Sequence, residues 1–156
     1  MAVVVATVGL DRWTKQIATA ALSGKSPGRL SFWGDCVRLE YVHNHGAFLS
    51  MGARLPEPWR SLLFTWGVGL FLMALVLALA VRAGRPDHPV RPMVGYALIL
   101  GGGLSNLWDR ATEGAVIDFL NLGIGWLRTG IFNIADVVIV VGVIAVALAK
   151  AGPRSA

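Results

Sequence analysis

The run PWRSLLFTWGVGLFLMALVLALAV, Pro58 to Val81, carries no charge after Arg60. At about 1.5 Å of rise per residue, a helix of this length crosses a hydrocarbon core of ~30 Å. A helix also satisfies its own backbone polar groups, as a lipid environment demands. Working outward, three further apolar segments share this character: about Pro92 to Trp108, Phe132 to Ala149, and Met1 to about Leu22. The expected fold is therefore an all-α membrane protein with four transmembrane helices. It forms a single polytopic domain over residues 1–156, with spans at about 1–22, 58–81, 92–108 and 132–149 and outer loops at about 23–57 and 109–131.

Composition agrees: 55% of the residues are hydrophobic and 15% are charged, unlike an average soluble domain. A formal charge of +5 could suggest a nucleic-acid partner, which would need a basic stripe on a soluble face. Here Lys and Arg scatter over short segments between apolar runs, so membrane lipids are the expected surroundings and no nucleic acid is expected. The single cysteine, Cys36, excludes an internal disulfide and a Cys-based zinc site. No H-E-x-x-H spacing occurs, and His43, His45 and His88 lack ligand-spaced partners, so neither metal nor organic cofactor is expected.

The N-terminal segment is the least apolar, since Asp11, Arg12 and Lys15 interrupt it. It lacks the basic start of a cleaved signal peptide and reads as a first span. Asp11 and Lys15 stand four residues apart, acid before base, and can pair on one helix face. Four spans put both termini on one side. The loop Arg82 to Arg91, with three Arg against Asp87, and the tail with Lys150 and Arg154 are basic. The positive-inside tendency puts them in the cytoplasm, although Lys25, Arg29, Arg38 and Arg54 run against it in the outer loop. In that loop Leu30 to Trp33 and Val37 to Val42 alternate apolar and polar residues around Gly34-Asp35, which predicts a small extracytoplasmic sheet between the first two spans. Trp33, Trp59, Trp108 and Trp126 fall near predicted span ends, where an aromatic belt would hold them.

The chemistry lies in a repeated pair. Asn106-Leu-Trp-Asp109 closes the third span and Asn133-Ile-Ala-Asp136 opens the fourth. A spacing of three puts Asn and Asp on one helix face, and the topology sets both pairs at the same level near the outer membrane face. Asp118 lies on the connection between them, inside Gly114-Ala-Val-Ile-Asp118-Phe119. Buried carboxylates are costly and tend to take up a proton. Two that share one proton can act as general base on water and acid toward a carbonyl. No Ser–His arrangement offers another hydrolytic route. Other roles stay open at this level. The Asn and Asp residues could cap helices, Asp109 and Arg110 could form an interfacial ion pair, and the acids could line a proton relay or an assembly site. Gly101 to Gly103 would allow close helix packing.

These same residues resemble lipoprotein signal peptidase (signal peptidase II), a family of bacterial aspartic membrane peptidases. Asp11-Arg-Trp-Thr-Lys15 is similar to its D-x-x-x-K element and Asn44-His-Gly46-Ala47 to its N-x-G-A. Gly102-Gly-Leu-Ser-Asn106-Leu-Trp-Asp109-Arg110 resembles G-G-x-x-N-x-x-D-R, Gly114 to Phe119 resembles G-x-V-x-D-F, and Phe132 to Asp136 resembles F-N-x-A-D. The resemblance implies Asp118 and Asp136 as the catalytic pair, with Asn106, Asp109, Arg110 and Asn133 shaping and polarising the site. It implies that Asp11, Lys15, Asn44 and Gly46 build the substrate channel and its outer loop. It further implies a prolipoprotein substrate whose cysteine carries diacylglycerol, cleavage just before that cysteine, an extracytoplasmic β-cradle, a monomer, and residence in the bacterial inner membrane with the active site towards the extracytoplasmic face. The sequence departs from the pattern at Ser105, where the family usually has Gly, and at Phe48 and Leu49.

Overall fold

The computed structural model describes residues 1–26, 28–46, 52, 54–83 and 91–151. Ala47, Phe48 and Leu49, most of the basic loop including His88, and the tail with Arg154 lie outside these. Among the described residues, five α-helices and four strands follow one another: α1 (Ala2–Leu22), β1 (Arg29–Phe32), β2 (Val37–Asn44), α2 (Glu57–Ser61), α3 (Val68–Ala83), α4 (Arg91–Glu113), β3 (Val116–Ile124), β4 (Leu127–Arg128) and α5 (Ile134–Ala151). A π-helical turn, Leu62–Gly67, joins α2 to α3. The stretch Glu57–Val81 is long and apolar enough to cross a membrane, with a mean hydropathy of 2.4.

Helix α4 is central, and its glycines explain why. Successive residues on a helix point about 100° apart, so Gly101, Gly102 and Gly103 face three different neighbours. A Cβ on Gly101 would lie 2.8 Å from the Thr7 Cβ of α1, one on Gly102 2.6 Å from the Ala135 carbonyl oxygen of α5, and one on Gly103 2.7 Å from a Leu72 methyl of α3. Further along, Gly95 and Gly142 let the backbones of α4 and α5 touch: a Cβ on either would come within 2.7 Å of the other's carbonyl oxygen.

Two boundaries differ from the sequence expectation. Helix α4 does not end at Trp108 but continues to Glu113, so Asp109 and Arg110 are helical. It stops at Gly114, whose φ of +70° and whose N–H on the Arg110 carbonyl (3.1 Å) make a left-handed helix end. The polar residues after Trp108 mark a change of surroundings rather than a change of conformation. At the other boundary Asn133 precedes α5 as its cap instead of lying in the first turn.

The fold is mostly helical with a four-stranded antiparallel sheet of order β1-β2-β3-β4. The β1–β2 hairpin occurs where alternation predicts it, turning through left-handed Trp33, Gly34 and Asp35. The expectation of a sheet confined to the chain between the first two spans is corrected, because β3 and β4 come from the second outer segment. Val116–Ile124 shows no alternation because its first half is covered on both faces: Val116, Asp118, Phe119 and Asn121 are all buried. The β2–β3 ladder slips between Leu39, opposite Leu120, and Val42, opposite Asp118. Such a bulge bends a strand and re-aims its side chains.

Polarity is distributed inside out. Leu70, Phe71, Met73 and Leu77 on α3 and Val143, Ile144 and Leu148 on α5 face outward, whereas Asp11, Lys15, Asp109 and Asn133 are almost wholly buried. A small apolar cluster of Ala18, Leu22 and Phe119 seats the sheet on α1. The four tryptophans noted above are exposed, but Trp33 and Trp126 stand in hairpin turns, not at helix ends.

Candidate active site

The buried polar residues form two adjoining sets with different electrostatics. The first is ionic. Asp11 and Lys15, one turn apart on α1, pair at 2.7 Å, as their spacing predicts. Lys15 Nζ also reaches Asp109 Oδ2 at 2.6 Å and donates to Asn106 Oδ1 at 3.0 Å, so all three ammonium protons have acceptors. Arg12, which the sequence reading passed over, pairs with the other oxygen of Asp109. Two anions thus meet two cations, and the set is neutral.

Asp109 therefore does not pair with Arg110. Adjacent helical residues diverge by about 100°, so Asp109 turns to α1 while Arg110 turns away. Asp109 Oδ2 additionally accepts the Ile117 N–H at 3.3 Å, tying the start of β3 to α1 and α4. Arg110 donates to the Gly46 carbonyl at 2.9 Å, and Gly46 in turn donates its N–H to Asn44 Oδ1 at 2.9 Å. On its other side Arg110 borders a cavity of about 490 Å³, lined also by His45, Arg60, Phe64, Thr65 and Leu107. The π-helical turn contributes Phe64 and Thr65 to that wall, and π-bulges recur at functional sites.

The second set holds Asp118 and Asp136, which accept hydrogen bonds from amides. Asp118 Oδ1 accepts from Asn133 Nδ2 at 2.7 Å and Oδ2 from Asn44 Nδ2 at 2.8 Å. Asp136 Oδ1 accepts from Asn106 Nδ2 at 2.9 Å. Asn133 and Asp136 also cap one another: the Asp136 N–H meets Asn133 Oδ1 at 3.0 Å, and the Asn133 N–H meets Asp136 Oδ2 at 3.4 Å. This is the reciprocal logic of a capping box. Capping thus coexists with the polar cluster, and the same atoms serve both.

Local structure delivers each side chain. Asn44 and Asp118 lie diagonally across the β2–β3 ladder, Asn44 opposite Val116 and Asp118 opposite Val42. Such diagonal neighbours are within reach of one another. Phe132 bridges Leu120 of β3, which brings Asn133 beside Asp118. Burial pushes the Asp118 carboxyl up to about 7; the amide bonds from Asn44 and Asn133 oppose this, and the nearby Asp136 adds to it. Among the described residues, no group of three His, Cys, Asp or Glu side chains is disposed to hold a metal ion.

Every site residue expected from the sequence lies in this neighbourhood. Asp118, Asp136, Asn44, Asn106 and Asn133 share one network, while Asp11, Lys15 and Asp109 form the ionic set against it, and Arg110 and Gly46 lie at the cavity side. Ser105 belongs here too, fully buried with its hydroxyl 2.7 Å from Asp11 Oδ2. One signal for it was a polar residue directly beside Asn106 in a glycine-rich run.

The architecture is that of a helical bacterial membrane enzyme. Two solved structures, each described as a bacterial membrane enzyme determined by the in meso method, superpose closely. The first has a TM-score of 0.77 at 27% identity, covering 96% of this chain and 85% of its own. The second has 0.75 at 25%, covering 97% and 92%. The family model for signal peptidase (SPase) II matches residues 3–151, and the chain belongs to the signal peptidase II family, whose members are peptidases. It is 32% identical over 137 residues to the lipoprotein signal peptidase of Francisella tularensis subsp. novicida, covering 88% of this chain and 81% of that one. It is 41% identical over 112 residues to that of Moorella thermoacetica, covering 71% and 66%.

Proposed function

We propose that this chain is an aspartic endopeptidase of the inner membrane that removes the signal peptide from diacylglyceryl-modified prolipoproteins, cutting just before the lipidated cysteine. Asp118 and Asp136 are its dyad. The observation that carries the assignment is the contrast between the two polar sets. Asp11 and Asp109 are paired with Lys15 and Arg12. Asp118 and Asp136 meet neutral amide donors instead, and burial favours proton uptake at Asp118. Only the second pair is suited to holding and passing a single proton.

In the mechanism, one aspartate starts protonated and the other takes a proton from water. The water attacks the scissile carbonyl, whose oxygen takes the acid's proton, and a tetrahedral diol forms. Collapse with proton transfer to the leaving nitrogen frees the new N-terminus of the lipidated cysteine. Asn44, Asn106 and Asn133 orient the carboxyls, and Arg110 and Gly46 frame the cavity through which the peptide approaches. In the bilayer, α1, the continuous helix from Glu57 to Ala83, α4 and α5 are the four spans, both termini are cytoplasmic, and the sheet and dyad face outward. The outward apolar residues of α3 and α5 support this placement.

The test incubates purified protein with a diacylglyceryl-modified prolipoprotein and follows release of the signal peptide. Asp118→Asn and Asp136→Asn should each lower the rate by roughly 10³-fold or more while the protein still inserts. Full activity in either variant removes that residue from the dyad.

A further inference from the structure

Among the described residues, Ser105 brings to the polar centre a buried hydroxyl that the proposed mechanism does not use. It has no exposed surface, and its Oγ donates to Asp11 Oδ2 at 2.7 Å. The other oxygen of Asp11 accepts the N–H of Ala135 at 2.8 Å. Ala135 is the second residue of α5 and directly precedes Asp136. Its carbonyl oxygen packs on Gly102 of α4, where a Cβ would come within 2.6 Å. The two peptide groups that flank Ala135, the residue before Asp136, are thus held, one by a carboxylate from α1 and the other against the backbone of α4.

We propose that Ser105 is a positioning residue: it fixes the rotation of the Asp11 carboxylate, which holds the first turn of α5 and so sets where Asp136 stands. A carboxylate bound by Lys15 alone on that oxygen keeps its charge partner but can swing about its side-chain bonds, because an ammonium is a compact point charge with weak directional preference. The hydroxyl adds the second direction. Small displacements of a reacting group carry large rate penalties, so the hydroxyl contributes to turnover without touching substrate.

The inference rests on Asp136 belonging to the dyad, and its test separates the two. Ser105→Ala and Ser105→Gly both remove the hydroxyl and leave the Asp11–Lys15 pair in place. Each should lower kcat roughly three- to tenfold with KM within about twofold, and should speed hydrogen exchange at the Ala135 and Asp136 amides. A role confined to helix packing would change the yield and melting temperature but leave kcat per folded molecule and amide exchange as they were, and that result overturns the proposal. So does a Ser105→Gly enzyme that matches the parent while Ser105→Ala is slow, since loss of the hydroxyl would then not by itself slow turnover. An Asp136→Asn enzyme that still cleaves would instead sink the dyad assignment, whatever the exchange at Ala135 shows.

Discussion

Asn133 reaches Asp118 with its carboxamide nitrogen at 2.7 Å while its oxygen holds the Asp136 backbone N–H at 3.0 Å. One side chain therefore caps α5 and spans the two acids. Asn133→Ala should lose both functions: about 1 kcal/mol of cap stability, read as a lower melting temperature in detergent, and roughly 10²-fold in kcat. Asn133→Asp keeps an acceptor for the cap but puts a third acid beside the pair. It should recover stability more than activity. Equal recovery of both would mean that Asn133 serves the helix alone.

The raised Asp118 pKa gives a pH dependence with a definite sign. The folded carboxyl, at about 7 against an ordinary 3.8, keeps its proton across a range in which the unfolded group has lost it. Its contribution to stability is thus greatest below about pH 4 and declines as pH rises towards 7. On the dyad reading kcat falls above pH about 7 as the shared proton leaves. Asn44 donates to the charged form and so holds the value down. Asn44→Ala should move the alkaline limb of the pH–kcat profile upward by about one unit. A limb that stays or moves down would contradict this.

Lys15 is the hub of the ionic set. Lys15→Met leaves buried Asp11 without a cation and Asp109 with Arg12 alone, a change that costs about 3–5 kcal/mol where a buried pair is broken. The variant should accumulate poorly or melt well below the parent in a thermal scan. Arg12 is partly exposed, 30% at its side chain, so Arg12→Ala should cost much less, about 1 kcal/mol. Equal losses for the two would shift the hub from Lys15 to Asp109.

Glycine substitutions separate packing from conformation. Gly102→Ala drives a methyl into the Ala135 carbonyl at 2.6 Å, where neither backbone can yield cheaply, and should displace α5 and abolish cleavage. Gly9→Ala on α1 meets nothing within 4 Å and should be neutral or stabilise by roughly 0.5–1 kcal/mol. Paired measurements of melting temperature and activity distinguish these outcomes.

Much of this was legible in the sequence, for physical reasons. The Asp11–Lys15 pair follows from helix periodicity and the β1–β2 hairpin from alternation, while of the two Asn-x-x-Asp motifs Asn133-x-x-Asp136 is a helix cap. Strand β3 was not visible, because a strand covered on both faces loses the period of two, and Asp118 consequently read as part of a loop. The partners of Asp109 were missed because neighbours in sequence are not neighbours on a helix face; the cations it meets, Arg12 and Lys15, lie on another helix. Ser105 read only as a departure from the family pattern, because a hydroxyl in a glycine run gives no hint of what it faces. Spacing alone, which does not show which acids pair directly with cations, did not single out Asp118 and Asp136 among the aspartates; the resemblance did.

Asp118 rides on a strand and Asp136 on a helix, and the two elements are joined by the Leu120–Phe132 bridge and the Asn133 carboxamide. On the proposed assignment, neither the strand nor the helix carries a working dyad by itself. A nascent chain whose helices have inserted but whose sheet has not closed over them would hold separated, idle acids. Proteolytic capacity would then be conferred by the final docking step of assembly, an interlock that keeps an unfinished protease from cutting at random in the membrane where it is made.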